Sequence, residues 1–542
     1  MRFRFPVFLV SALFLVGCGS DVSSRTGDRP ETFEANFTTW ATMRDGVRLA
    51  TDVQLPQGFE VGTSQPYPTI LLRTPYGKTS GDPNLIRAWA REQGIAYVVQ
   101  DTRGRASSEG IDEVFQDDGF GLRQDGYDTV EWIAEQAWSN GRVCTMGPSA
   151  LGITQTLMAA ANPPSLTCQF ILVAPSDMYA HATYQGGVLR EELITSWLEF
   201  QESDTFLDVI LEHPEYGDRW EELNALERLD EIQVPAIHVG GWFDIFSEGT
   251  LTSFQRRQYE GGEGARGQQK LVMTPGDHIQ TALFLTHSGP HTNRQVSRLN
   301  VKALAQRWFA HHLLDIDTGV MDEPDVRYFQ MFGGREDGQW RTAVDWPPPA
   351  TQWTLALHDG GKLGTASPAA AAVTGFTHDP ADPLVTVGGR NLFSTSGDVN
   401  QGPLTAETQK RLLFLSGPLE RDVPVAGEVT AQLAGALDGE DGHWVLQLLD
   451  VSPDGSVHKL VTEGSLRAQL RQGVTTAIPV TPGSVELYPI SVYSTAWTFP
   501  KGHRIGLAIS GANAPRLETY PHERAFTVHL NGDSILRLPI VE

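Results

Sequence analysis

The chain has 542 residues, a formal net charge of −25 and 40% hydrophobic residues. That length exceeds one ordinary core and implies more than one domain, and the apolar content excludes wholesale disorder. The sequence has no cluster of Lys and Arg of the kind that neutralises phosphates, which argues against a nucleic-acid partner.

Arg2 and Arg4 precede an apolar run from Phe5 to Val16. The run is too short to span a bilayer as a permanent helix and has the charged start and apolar middle of a secretory signal. It ends in Leu15-Val16-Gly17-Cys18, which resembles the lipobox of bacterial lipoproteins. Residues 1–18 are therefore expected to be a lipoprotein-type signal, with Cys18 acylated as a membrane anchor in the cell envelope; a plain signal peptide is the alternative. Each buried acyl methylene is worth roughly 0.8 kcal/mol, so several chains would hold the protein on a membrane. Residues 19–36 are polar and read as a flexible tether. Export permits a disulfide between Cys144 and Cys168, and two buried free thiols are equally open.

Thr39–Leu55 reads as a hairpin around Arg44-Asp45-Gly46. An apolar strand at Pro68–Arg73 follows, then a helix at Asn84–Glu92 and a buried strand at Ala96–Asp101. The alternation continues with a helix at Asp125–Glu135, a strand at Arg142–Met146, a helix at Thr154–Ala161 and strands at Gln169–Ala174, Ala236–Val239 and Lys270–Met273. Strands alternating with helices indicate an α/β fold, a parallel sheet covered on both faces. Met178–Ile232 breaks the pattern with a long helical stretch rich in Glu, Trp and Leu, placed where an inserted cap would cover the strand ends. Val301–Leu314 reads as a long amphipathic helix and Val326–Met331 as a closing strand. Trp346-Pro347-Pro348-Pro349 marks a boundary. The first domain is thus expected over 37–350. From 351 to 542, short alternating strands between turns indicate an all-β jelly-roll domain.

The segment Gly147-Pro148-Ser149-Ala150-Leu151-Gly152 lies between a strand and a helix, the setting of a nucleophile elbow. A serine hydroxyl needs a base, and the base an orienting acid. On an α/β-hydrolase the chain order is Ser, acid, His. Asp244 follows the strand at Ala236–Val239, and His278 follows the strand at Lys270–Met273, both at the carboxyl ends where open α/β sheets bind ligands. The rivals are weaker. His238 lies inside a strand and suits a hydrogen-bonded core. His181, His287 and His291 lie on less ordered stretches, and His311 and His312 sit late on a helix, where a cation suits the helix end. Asp277 adjoins His278 and reads as a turn residue. No spaced His/Cys/Asp set of metal-ligand type is present, so neither metal nor cofactor is expected.

Several further segments resemble the cocaine esterase and X-prolyl dipeptidyl peptidase family, which also includes α-amino acid ester hydrolases and cephalosporin acylases. They include Met43–Ala50, Arg73-Thr74-Pro75-Tyr76, Gln100–Gly104, Asp125–Ile133, Trp138–Gly141, Asp450–Gly455 and Lys501–Arg504. The resemblance implies a triad of Ser149, Asp244 and His278. It also implies an oxyanion hole built from the Tyr76 hydroxyl and the Ala150 N–H, and a jelly-roll C-terminal domain. Two positions depart from it. Ala150 stands where the family usually has Tyr, and Ile245 and Phe246 stand where α-amino acid ester hydrolases carry carboxylates for the substrate ammonium. An apolar stretch disfavours a cationic amine and points to a neutral acyl group. The sequence thus predicts a serine hydrolase acting on a small-molecule ester or amide. An X-Pro dipeptidyl peptidase or acylase is the alternative within that class, and a catalytically silent surface binding protein is the alternative outside it.

Overall fold

The computed structural model describes residues 37–56, 65–81, 84–283, 299–333, 338–402, 407 and 409–542. The expected signal, Cys18, the tether, His287 and His291 lie outside the described residues. Among the described residues, no helix is long and apolar enough to cross a membrane.

Ten strands build the first sheet. They are β1 (Phe37–Thr42), β2 (Arg48–Gln54), β3 (Tyr67–Thr74), β4 (Ala96–Asp101), β5 (Ser139–Pro148), β6 (Leu166–Leu172), β7 (Ala236–Phe243), β8 (Gln269–Asp277), β9 (Val326–Phe332) and β10 (Gln339–Ala343). Pairings give the spatial order 1-2-4-3-5-6-7-8-9-10, parallel from β4 to β9, with antiparallel partners at both ends. The central strands are apolar runs because both faces are covered: every residue of β4 and of β7 is buried. On one face pack α1 (Arg87–Glu92) and the long helix at Val301–Leu314, with Trp308 and Phe309 fully buried; on the other pack α2 (Asp125–Ala134) and α3 (Ala150–Ala159). Cys144 of β5 lies opposite Cys168 of β6, and the two form a disulfide inside the sheet.

The helix expected at Thr154–Ala161 begins four residues earlier, at Ala150. Gly152 reads as a turn signal, yet here it lets the helix lie against the sheet: a Cβ at this position would run into Ala174. The helix expected from Asn84 starts only at Arg87. Asn84 has φ of 48°, a left-handed conformation that a right-handed helix cannot include.

The stretch between β6 and β7 folds as a cap of short pieces rather than long helices. They are a π-turn at Tyr179–Thr183, then α4 (Glu191–Phe200), α5 (Phe206–Leu211), α6 (Asp218–Glu221) and a 3-10 segment at Ala225–Glu231. Gly186 and Gly187, both at positive φ, turn a two-residue strand pair that the helical reading did not anticipate. Tyr179, Tyr184 and Trp220 form the cap's aromatic centre.

The C-terminal part is a mainly antiparallel β domain whose large core, with Trp444, Trp497, Phe526 and Leu538, runs on into the first domain at Trp242, Phe254 and Tyr328. Its longest strands, Val423–Leu437 and Glu486–Phe499, pair antiparallel across a bulge near Glu428. It is welded to the first domain: β9 continues into its sheet at Met331↔Trp497, and Gln185 of the cap is bonded to Glu463, Ser465 and Arg516.

Candidate active site

The strand β5 ends against a helix, and Ser149 is the hinge between them. Its φ of 56° and ψ of −124° are strained for a residue with a side chain. The turn closes because the neighbours are small: a Cβ on Gly147 would collide with Leu151. The Ser149 N–H is held by the Leu172 carbonyl at 3.0 Å. The next N–H, that of Ala150, belongs to the first turn of α3, where amides have no intrahelical acceptor and the helix dipole favours negative charge.

Asp244 leaves the end of β7, ahead of α7 (Ser247–Glu260), and His278 opens the short helix α8 (His278–Ala282) after β8. The three side chains converge from three loops. His278 Nε2 lies 3.0 Å from Ser149 Oγ, and His278 Nδ1 lies 2.6 Å from Asp244 Oδ1. Asp244 is wholly buried and His278 nearly so. The Phe246 ring meets the imidazole edge-on at 5.5 Å and backs it. Asp277, the neighbour of His278, is the N-cap of α8: it accepts from the Gln280 N–H at 2.9 Å and from Ser396 Oγ at 2.7 Å. It takes no part in orienting the imidazole.

Tyr76 follows β3, and its hydroxyl hydrogen-bonds with Ser149. Burial pushes the phenol up to about 12, so it stays protonated, against the weaker downward pull of its hydrogen bond from Trp197 and of the Arg105 charge. Trp197 of α4 donates its Nε1–H to the Tyr76 oxygen at 3.0 Å. Sequence reading did not single out Trp197. It fell in a stretch rich in Trp and Leu, where any aromatic is first a core candidate, and only the fold shows which one faces Tyr76.

The remaining candidates stand apart. His238 is sealed in the sheet against Gln269 at 3.1 Å, and burial lowers it to about 3. His181 sits half-buried on the cap's π-turn, and His312 packs on Trp308 within its helix. Among the described residues no group of three or more His, Cys, Asp or Glu could hold a metal.

A pocket opens beside Ser149 beneath the cap. Ile153, Ile245 and Phe246 form its floor, and Leu193, Trp197, Phe206, Ile210 and Trp220 descend from the cap. Leu392 of the β domain closes one side. Ile245 and Phe246 thus occupy the wall itself, with no carboxylate at that place.

A cap over a mixed sheet, a strained serine at a strand–helix turn and a histidine at its oxygen define an α/β-hydrolase-type serine hydrolase, and comparison with known proteins agrees. The model of the X-Pro dipeptidyl-peptidase (S15 family) matches residues 45–208 and 199–280, and that of the X-Pro dipeptidyl-peptidase C-terminal non-catalytic domain matches 318–537. The chain belongs to this family. Cocaine esterase of Rhodococcus sp. (strain MB1 Bresler) is 27% identical over 550 residues, covering 88% of this chain and 90% of that protein. Two solved structures share the whole fold. An aminopeptidase from a marine sediment archaeon superposes with a TM-score of 0.80 at 22% identity, covering 97% of this chain and 99% of that one. An α-amino acid ester hydrolase superposes with 0.78 at 20% identity, covering 96% and 100%.

Proposed function

We propose that this serine hydrolase cleaves a carboxylic ester, with Ser149 as nucleophile, His278 as base, Asp244 as the orienting acid, and the Tyr76 hydroxyl and Ala150 N–H as oxyanion donors. The observation that carries the reading is the continuous hydrogen-bonded line from Asp244 through His278 to Ser149 Oγ. His278 Nε2 takes the hydroxyl proton as Oγ bonds to the carbonyl carbon. The carbonyl oxygen becomes the oxyanion between Tyr76 and Ala150. The C–O bond to the alcohol then breaks, and the alcohol leaves with the proton held by His278. Water, deprotonated by His278, attacks the acyl-enzyme, and Ser149 departs with that proton as the acid is released. Asp244 stabilises the imidazolium formed in both steps. Removing one oxyanion donor from such a site typically costs roughly 3 kcal/mol in the barrier.

An ester is favoured over an X-Pro peptide because a dipeptidyl peptidase must hold a free ammonium, and the described residues that line the pocket include no carboxylate to pair with it. Amide cleavage is the second reading, supported by the family to which the chain belongs. The test is labelling by a fluorophosphonate, followed by turnover of a nitrophenyl ester beside an X-Pro anilide. Labelling is expected in the native chain and absent in Ser149→Ala, with the ester far faster. Undiminished labelling of Ser149→Ala would sink the nucleophile assignment, and a faster anilide would reverse the substrate reading. We further propose that Cys18 carries a lipid that anchors the chain in the cell envelope. Incorporation of labelled palmitate, lost in Cys18→Ser, is the expected result; equal incorporation refutes it.

A further inference from the structure

Among the described residues, the mainly apolar wall of the pocket beneath the cap carries charge at one place. Arg219, on α6, is the one charged side chain among the described residues that line it. Its guanidinium carbon lies 5.0 Å from the centroid of the Phe206 ring, which belongs to the same wall. None of the described residues hydrogen-bonds or ion-pairs with Arg219.

That state is unlike the arginines around it. Arg103 is held by Asp45 and Asp125, Arg105 by the backbone and side chain of Gln201, and Arg123 by Glu113 and Asp117. The two carboxylates whose fields reach Arg219 are engaged elsewhere. Glu113 pairs with Arg123 at 3.0 Å, and Glu222 accepts from Gln116 at 2.7 Å. Burial holds the Arg219 guanidinium below its ordinary value, although Glu113 and Glu222 pull the other way. The group is thus a half-buried cation whose hydrogen-bonding fork no described residue claims, on the wall of a pocket that reaches Ser149.

We propose that Arg219 is a subsite for a carboxylate carried on the apolar group of the substrate, so that the favoured esters are acid-tipped: hemiesters of dicarboxylic acids, or esters of ω-hydroxy acids. The inference rests on the reading of Ser149 as the nucleophile of an esterase. A planar guanidinium offers two parallel N–H donors in the spacing of a carboxylate, and Phe206 behind it leaves its edge for the ligand. Apolar surroundings strengthen that pair relative to water. The expectation of a neutral acyl group, drawn from Ile245 and Phe246, then describes the part of the wall next to Asp244. The cation stands on the cap.

The experiment compares kcat/KM for nitrophenyl hemiesters of dicarboxylic acids of increasing length with neutral nitrophenyl esters of matched length. A second arm compares acetates of ω-hydroxy acids with acetates of matched neutral alcohols. The native chain is expected to prefer the acid-tipped member in one arm at a defined length. Arg219→Gln should lower that preference ratio roughly 10- to 100-fold, and Arg219→Lys should restore part of it. Calorimetric binding of the preferred acid-tipped ester to Ser149→Ala, weakened by the added Arg219→Gln, gives a readout without turnover. No preference at any length in either arm overturns the subsite while neutral-ester turnover keeps the esterase reading. So does an equal fall of both members in Arg219→Gln, which would mark Arg219 as structural. If the native chain cleaves no ester of either kind, it is the esterase reading that fails, and the subsite with it.

Discussion

The Trp197 indole donates to the Tyr76 hydroxyl at 3.0 Å, tying a helix of the cap to the loop that follows β3. With that lone pair occupied from behind, the Tyr76 proton is left for the serine oxygen or for an oxyanion formed there. Phe115 stacks on Trp197 at 5.6 Å and keeps the indole in place. Under the mechanism proposed above, cap position and oxyanion stabilisation are therefore coupled. Trp197→Phe keeps the packing and removes the donor; kcat on a nitrophenyl ester should fall roughly tenfold. Tyr76→Phe should lower kcat by roughly 100- to 1,000-fold. If Trp197 acts through Tyr76, the double variant is no slower than Tyr76→Phe alone. Additive losses in steady-state kinetics would show that Trp197 works by another route.

Asp244 and Asp277 are both near His278, and the geometry assigns them different work. Asp244 meets Nδ1 at 2.6 Å in a fully buried position, whereas Asp277 caps α8. Asp244→Asn should reduce kcat by about 10⁴, with the circular dichroism spectrum unchanged, because the amide favours the wrong imidazole tautomer. Asp277→Ala should instead cost about 1 kcal/mol of stability, read by denaturant unfolding, with a much smaller change in rate. A comparable rate loss in both variants would contradict this division.

How far the sequence carried depended on whether a signal was local. The order of strands and the placement of Ser149, Asp244 and His278 at strand ends followed from apolar runs punctuated by turn residues, and the structure brings those three side chains together. Element starts were less legible. Gly152 is a turn signal in the sequence, and its helical role is set by the approach of Ala174 from the loop that follows β6. The cap's Gly186-Gly187 turn was hidden in a stretch of helical composition. Trp197 and Arg219 were illegible for the same reason. Nothing near either residue in the chain reveals the wall it will face, because Tyr76 and Phe206 meet them through tertiary packing alone.

Cys144 and Cys168 face each other on paired strands immediately before the elbow, and both are fully buried. Their sequence separation is 24 residues, and a crosslink closing a loop of that size removes about 3 kcal/mol of unfolded-state entropy in the chain-entropy treatment. The double variant Cys144→Ala/Cys168→Ala should therefore lose at least about that much stability in urea titration. Unfolding the native chain with and without reductant should show the same direction. Identical midpoints in all cases would mean that the bond is not formed in solution.

Glu248, in the first turn of α7, is gripped by the β domain. Its carboxylate accepts from the Ser494 N–H and, at 3.1 Å, from Ser494 Oγ. Arg390, also of the β domain, donates to Ser247 Oγ at 2.9 Å and to the Ser494 carbonyl at 3.0 Å. The start of the helix that follows Asp244 is thus fixed by the other domain. Burial raises Glu248 to about 7 from 4.5, although Arg390 and the Ser494 bonds pull it down. For an acid raised on folding, the folded state binds the extra proton between those two values. Its contribution to stability is complete below 4.5 and is lost as pH rises through about 7, a swing of about 3 kcal/mol at most. Glu248→Gln keeps an acceptor for Ser494 and removes the titration. From about pH 5 to about pH 8 the melting temperature of Glu248→Gln should gain on that of the native chain, as followed by calorimetry. A constant difference across that range would mean that Glu248 ionises in this interface without penalty.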